Sequence, residues 1–163
     1  MTKSNIGIRP ISGALGAEIG GIDLAERMSE QTFLAIRTAL YDNLVIFFRD
    51  QSITPEQQLE FARRFGPIET HAYAKGLDGI PEILPVVKEA DDHAANFGGI
   101  WHSDVSFHEV PPMGQILYAK EIPDAGGDTI FANMYMAYDA LSDAMKSMIC
   151  LLYTSPSPRD RSL

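Results

Sequence analysis

The sequence contains a single cysteine, Cys150, among its 163 residues. One thiol cannot form an intrachain disulfide, so a reducing cytoplasm is the natural setting to expect. The first residues lack the apolar stretch typical of a signal peptide. No apolar run approaches the roughly 20 residues needed to span a bilayer. We therefore expect a cytoplasmic protein that does not engage a membrane.

Clusters of lysine and arginine are also missing, and the formal net charge is −9. A surface that binds phosphate groups needs grouped cationic side chains, so we do not expect nucleic acid to be a partner. Hydrophobic residues make up 45% of the chain and charged residues 21%. This composition is globular, and the length suits one domain with a substantial core.

Local patterns in the first half predict short strands and two helices. Residues 6–18 are Gly-punctuated and β-like, and residues 29–41 repeat apolar side chains at helical spacing. The run "LVIFF" at 44–48 is typical of a buried strand. A second helix is predicted to begin after Thr54, where "TPEQ" forms a capping box, and to end at Gly66.

The second half is predicted to be mainly extended. Residues 82–88, 115–122 and 128–133 have strand-like composition, and the turn "PDAGG" joins the last two segments. Apolar residues within 137–148 then predict one final helix. Helices that come early, followed by strands with tight turns, indicate an α+β, mainly β fold with helices packed outside a sheet or barrel.

The C-terminal residues depart from this organisation. The ordinary interpretation of "CLLYTSPSPRDRSL" is a flexible terminus. However, "CLLYTSPSPRD" resembles the translation of a transposon-end sequencing adapter. We therefore predict that residues 1–149 belong to the natural domain and that residues 150–163 are a non-native tail.

The segment "IWHSDVSF" contains a candidate pair of metal ligands, His102 and Asp104. On a strand, residues two apart point to the same face and lie about 6.6 Å apart along the chain. An imidazole nitrogen and a carboxylate oxygen together suit Fe(II), Mn(II) or Zn(II). A third ligand is needed, and the remaining histidines are His71, His93 and His108. On a continuing strand His108 lies about 13 Å from Asp104, so a sharp bend is needed to bring it in.

Longer motifs give these two residues a context. The segments "NLVIFFRDQSITPEQQLEFARRFGPIE" and "WHSDVSFHEVPPMGQILYAKEIPDAGGDTIFANMYMAYDAL", with their spacing, resemble the taurine dioxygenase-like family of iron(II)/2-oxoglutarate-dependent oxygenases. The resemblance covers residues 6–149. It implies a distorted double-stranded β-helix, or jelly roll, with flanking helices and an incomplete barrel in this chain.

The resemblance also implies roles for individual residues. His102 and Asp104 are expected to ligate Fe(II), and the Thr129 hydroxyl to bind 2-oxoglutarate. His71 corresponds to a substrate-binding histidine of the sulfonate-oxidising members, which carry an asparagine where this chain has Gly98. The family's second metal histidine, and the arginine that pairs with 2-oxoglutarate, normally follow much further along the chain. Neither is expected within these 163 residues.

The implied function is hydroxylation of a small organic acid, with taurine or another sulfonate as a candidate. The co-substrates are then 2-oxoglutarate and O2, and the products include succinate and CO2. The isolated chain is expected to be an inactive fragment, while the full-length protein is a candidate homo-oligomer. A non-enzymatic jelly-roll module that binds a ligand is the alternative.

Overall fold

A computed structural model describes residues 6–70, 74–89, 91, 98–106 and 108–154. Its sheet has three strands in the order β1-β2-β3. β2 pairs antiparallel with β1 and parallel with β3. The strands are β1 (Gly7–Pro10), β2 (Ala17–Gly20) and β3 (Ile46–Phe47). The β-like pattern near the N-terminus is thus confirmed, whereas the predicted strand at 44–48 is reduced to two residues.

The described helices are α1 (Glu30–Asn43), α2 (Pro55–Arg63), α3 (Met134–Asp139) and α4 (Asp143–Thr154). The Ser29 hydroxyl caps α1 by accepting from the Thr32 N–H at 3.1 Å. At α2, Thr54 and Gln57 exchange both bonds of the predicted capping box. The pKa of Glu56 is lowered, first by its own backbone N–H and then by the Thr54 hydroxyl. Both early helices are therefore confirmed, each with a side chain satisfying its first N–H groups.

The core lies between the sheet and the first two helices. Ile19 from β2, Phe33 and Ile36 from α1, and Phe61 from α2 are all buried. The rings of Phe33 and Phe65 meet edge to face, with centroids 4.8 Å apart. The first 70 residues therefore contain the buried core of the described chain.

The strands predicted for the second half are wrong in this structure. Residues 82–88, 115–122 and 128–133 belong to no strand, and the described chain contains more helix than strand. A strand exists only when a neighbour completes its backbone ladder. Within the described residues no other segment pairs with them. A double-stranded β-helix is therefore not directly seen within the described residues.

The single helix predicted near the C-terminus is divided in two. The Ser142 hydroxyl accepts from the Met145 N–H at 3.3 Å, and the Ser142 carbonyl from the Lys146 N–H at 2.9 Å. Ser142 therefore starts a new helix, as serine commonly does. α4 continues to Thr154, beyond the predicted end at 148. Across the described ranges, no helix has the length and apolar character required to cross a membrane.

Side chains, not a ladder, attach the second half to the core. The Tyr118 hydroxyl donates to the Gln51 carbonyl at 3.1 Å, and Asn133 Nδ2 donates to the Ala14 carbonyl at 2.6 Å. Many apolar side chains in this region remain exposed, including Leu117 at 76% and Ile130 at 70%. The segment that follows the candidate metal pair is therefore tied to the core at separate points.

Replacing Ile36 tests the position of this core. Ile36 is fully buried, whereas Leu34 on the same helix is 40% exposed. We expect Ile36→Ala to lower the free energy of unfolding by about 2–5 kcal/mol, because it leaves a cavity. Leu34→Ala should lower it by less than about 1 kcal/mol. Urea denaturation followed by circular dichroism measures both; equal losses would place the core elsewhere.

Candidate metal and co-substrate site

His102 and Asp104 are brought together, although not by a strand. The His102 Nε2 and Asp104 Oδ1 atoms lie 3.2 Å apart, with both side chains about half exposed. The backbone around them is irregular, and Val105 has a φ of +46°. The prediction that the two side chains project together is confirmed. The predicted strand is wrong, because within the described residues no other segment pairs with this one, and the chain bends at residues 104–106.

A backbone carbonyl determines which nitrogen of His102 faces the carboxylate. The Nδ1 atom lies 2.6 Å from the Ile100 carbonyl oxygen. A carbonyl oxygen can only accept a hydrogen bond, so Nδ1 must carry the hydrogen. In the neutral ring, Nε2 is then the unprotonated nitrogen with its lone pair toward Asp104. This is the arrangement that orients many metal-binding histidines.

The resulting pair presents two lone pairs to the same small space. A neutral imidazole nitrogen and a carboxylate oxygen repel each other at 3.2 Å unless a positive charge lies beside both. A second proton on His102 meets this need as an ion pair, and a divalent metal meets it by coordination. Within the described residues, no group of three His, Cys, Asp or Glu side chains could hold a metal ion. The described residues thus supply two candidate donor atoms at this pair.

Gly98 lies against the ring of His102. Its φ is +70°, and a Cβ placed on it would come within 3.3 Å of the His102 Cε1 atom and 3.8 Å of Nε2. A side chain here would therefore project over the edge of the ring that faces Asp104. The absence of a side chain keeps this edge open, and the positive φ independently favours glycine.

Among the described residues, Thr129 and His108 do not join the pair. Thr129 lies in an exposed segment, and no hydrogen bond among the described residues links it to the pair. His71 and His93 lie outside the described residues. The Nδ1 atom of His108 lies 3.4 Å from Glu69 Oε2, so this histidine contacts the segment that follows α2.

A separate open cleft lies close in sequence to His71. Its volume is about 280 Å³. One charged residue in its lining, Lys75, has its Nζ atom 2.7 Å from Asp78 Oδ1. The lining is otherwise apolar and consists of Ala74, Leu84, Pro85, Val86 and Val87, together with Lys75.

Sequence reasoning missed the contacts that orient the pair. The Ile100 carbonyl and the backbone of Gly98 act through main-chain atoms, which every residue type carries. Glu69, the partner of His108, is 39 residues distant in sequence. Only the glycine at position 98 was a visible signal, because glycine often marks a close approach.

Comparison with known proteins identifies the family. Residues 7–163 match the model described as "Taurine catabolism dioxygenase TauD, TfdA family". The chain belongs to this family, which confirms the resemblance seen in the motifs around His102.

Similar proteins act on several kinds of small molecule. The chain is 34% identical, over 87% of its length, to the (S)-phenoxypropionate/alpha-ketoglutarate-dioxygenase of Sphingobium herbicidovorans. It is also 34% identical, over 86% of its length, to the alpha-ketoglutarate-dependent sulfate ester dioxygenase of Pseudomonas putida. The matches cover 50% and 46% of those two proteins, so the chain spans about half the length of these curated relatives.

Solved structures agree with this relationship. A taurine dioxygenase from Burkholderia xenovorans superposes with a TM-score of 0.75 at 34% identity, covering 88% of this chain and 50% of that one. AAD-2, solved in complex with Mn(II) and N-oxalylglycine, superposes with a TM-score of 0.62 at 28% identity. That match covers 96% of this chain and 60% of the other. The described fold is therefore that of the corresponding part of these dioxygenases.

The tautomer of His102 can be observed directly. We expect long-range ¹H–¹⁵N correlation spectra of the neutral form to place the hydrogen on Nδ1, because the Ile100 carbonyl accepts from that atom. A hydrogen on Nε2 would contradict the orientation of the ring described above.

The role of Gly98 can be tested by adding one methyl group. We expect Gly98→Ala to displace the His102 ring, because the new Cβ approaches Cε1 and alanine disfavours a φ of +70°. The His102 Hε1 resonance should shift in proton–carbon correlation spectra. Gly114→Ala is the matched control, since a Cβ there meets nothing within 4 Å. A Hε1 resonance that is the same in both variants would show that the close approach does not constrain the ring.

Proposed function

We propose that this chain is part of an iron(II)- and 2-oxoglutarate-dependent dioxygenase that hydroxylates a small organic acid. His102 Nε2 and Asp104 Oδ1 are the proposed metal ligands, and Thr129 is the proposed contact to 2-oxoglutarate. The observation that carries the proposal is the pair of donor atoms 3.2 Å apart, with His102 Nδ1 held by the Ile100 carbonyl. Membership of the dioxygenase family supports a metal, not a proton, as the positive charge.

The donor chemistry of the pair fits iron(II). Imidazole nitrogen suits borderline divalent metals, and a carboxylate oxygen adds negative charge, as in the two-histidine, one-carboxylate sites of non-haem iron oxygenases. When bound, iron(II) and 2-oxoglutarate supply the activation of O2 for C–H hydroxylation, with release of succinate and CO2. The protein provides the geometry: Ile100 orients the imidazole, and Gly98 leaves its metal-facing edge uncovered.

Thr129 has the chemistry required of a co-substrate contact. Its hydroxyl can donate to a carboxylate, and it follows the turn at Gly126 and Gly127, whose φ values are +81° and +71°. Its exposure leaves the hydroxyl accessible. His71 remains the proposed substrate contact from the family pattern, and it lies outside the described residues.

The proposed substrate class is a small organic anion. The names of similar proteins include a phenoxypropionate, a sulfate ester and a sulfonate. All three are anions joined to a carbon skeleton, so we propose a carboxylate, sulfonate or sulfate ester, with taurine as one candidate. Gly98, in place of an asparagine, leaves more space beside His102.

We further propose that the 163-residue chain is not sufficient for turnover. Two donors from the described residues leave the metal site short of a third protein ligand. The chain covers about half of its relatives, and side chains such as Leu117 and Ile130 lie exposed in segments that belong to no strand. A downstream segment with a histidine and an arginine would complete both the site and the sheet.

An activity assay tests this proposal. The chain is incubated with iron(II), ascorbate and 2-oxoglutarate, plus taurine, an alkyl sulfate or a phenoxypropionate, and succinate is measured. We expect none from the chain alone and turnover once a downstream segment with the missing histidine and arginine is joined. His102→Ala should abolish that turnover.

Each part of the proposal can fail separately. Robust turnover by the 163-residue chain would contradict its incompleteness. Activity that persists in the completed His102→Ala protein would contradict the ligand assignment. Thr129→Ala should raise the KM for 2-oxoglutarate by about tenfold, as expected for loss of a charge-assisted hydrogen bond; an unchanged KM would remove Thr129 from the site.

A further inference from the structure

Val105 has an unusual backbone conformation directly after the proposed ligand Asp104. Its φ of +46° places a β-branched residue in the left-handed region, which such residues rarely occupy. A conformation of this kind persists only where neighbouring contacts hold it, and it often occurs beside functional groups. Whatever holds Val105 also fixes how the His102–Asp104 pair is presented to the rest of the chain.

His108 supplies contacts on both sides of this bend. Its backbone N–H donates to the Val105 carbonyl at 3.2 Å. Its side-chain Nδ1 lies 3.4 Å from Glu69 Oε2, with the two side chains 37% and 54% exposed. One residue therefore both closes the turn at Val105 and links it to a distant segment.

Glu69 is attached to the core through the residues that precede it. Phe65 packs edge to face on Phe33 and Phe61, with centroids 4.8 Å and 5.3 Å away. Gly66 and Pro67 follow, and the proline restricts the path of the chain toward Glu69. The partner of His108 is thus four residues from a side chain fixed in the core.

We propose that Glu69 and His108 form a positioning pair that holds Val105 in its left-handed conformation and so restricts the movement of the segment that carries His102 and Asp104 relative to the core. Without the pair, Val105 relaxes toward the extended region and the chain turns at that point. The two metal ligands then lose their alignment with the segments fixed to the core. This inference rests on the proposed metal-binding role of His102 and Asp104.

Titration of the full chain with Mn(II), followed by the electron paramagnetic resonance signal of the free ion, tests the pair. We expect Glu69→Gln to raise the apparent Kd for Mn(II) about fivefold, the scale of one partly exposed ion pair. Glu82→Gln is the matched control, because Glu82 forms a comparable 3.5 Å pair with Arg63. It should leave the Kd unchanged. The exchange variant Glu69→His with His108→Glu should restore affinity to within about twofold of the original.

A second substitution separates positioning from general destabilisation. Asparagine tolerates the left-handed region better than valine. We therefore expect Glu69→Gln to weaken Mn(II) binding by less than about twofold when Val105→Asn is also present. Equal losses in the two backgrounds would overturn the positioning role.

The remaining outcomes distinguish this inference from the proposed function. If His102→Ala leaves Mn(II) binding unchanged, the metal site itself is wrong. Another outcome is that His102→Ala removes Mn(II) binding while Glu69→Gln, like Glu82→Gln, leaves the Kd unchanged. That result would support the metal site and contradict the positioning pair. Failure of the exchange variant to recover affinity, with helix content retained in circular dichroism, would also overturn the pair.

Discussion

The hydrogen bond from His102 Nδ1 to the Ile100 carbonyl is the interaction on which the proposed site depends. At 2.6 Å it assigns the ring hydrogen and leaves Nε2 unprotonated in the neutral ring, facing the Asp104 carboxylate. Without that bond the two side chains are simply close neighbours on an irregular segment. With it they present two lone pairs to one space, which calls for a positive charge. Family membership then favours a divalent metal.

The buried core residues of the described chain all precede the proposed ligands in the sequence. Two capped helices and a three-stranded sheet bury Ile19, Phe33, Ile36 and Phe61. The segment that carries the ligands is attached to this unit through side chains, including Tyr118 to the Gln51 carbonyl and His108 to Glu69. In the described chain, a packed core of helices and sheet therefore supports a candidate site that is attached to it by separate polar contacts.

Structural elements could be predicted from the sequence where the signals that specify them lie in neighbouring residues. The Thr54–Gln57 capping box and the α1 periodicity are complete within a few residues, so both helices were predicted. The composition of residues 115–122 and 128–133 predicts strands, but a strand also depends on a partner, which sequence pattern does not supply. Ser142 lies inside the predicted last helix, and its role as the N-cap of a separate helix is not part of that prediction.

The geometry at the candidate site could be predicted only in part, for the same reason. The spacing of His102 and Asp104 predicts that their side chains project together, and the long motifs identify the family. The bend at Val105, the Ile100 carbonyl and the contact from Glu69 to His108 depend on backbone conformation or distant packing. Residue spacing carries little information about either, although the Ile100 carbonyl orients the His102 ring and the other two features shape the chain that follows Asp104.

Paramagnetic broadening by Mn(II) tests the central claim most directly. In spectra of the full chain, substoichiometric Mn(II) should first broaden the resonances of the His102 ring and the Asp104 side chain, because an ion held by Nε2 and Oδ1 would lie beside both. Early broadening at other acidic residues, with the His102 ring unaffected, would contradict a metal site at this pair.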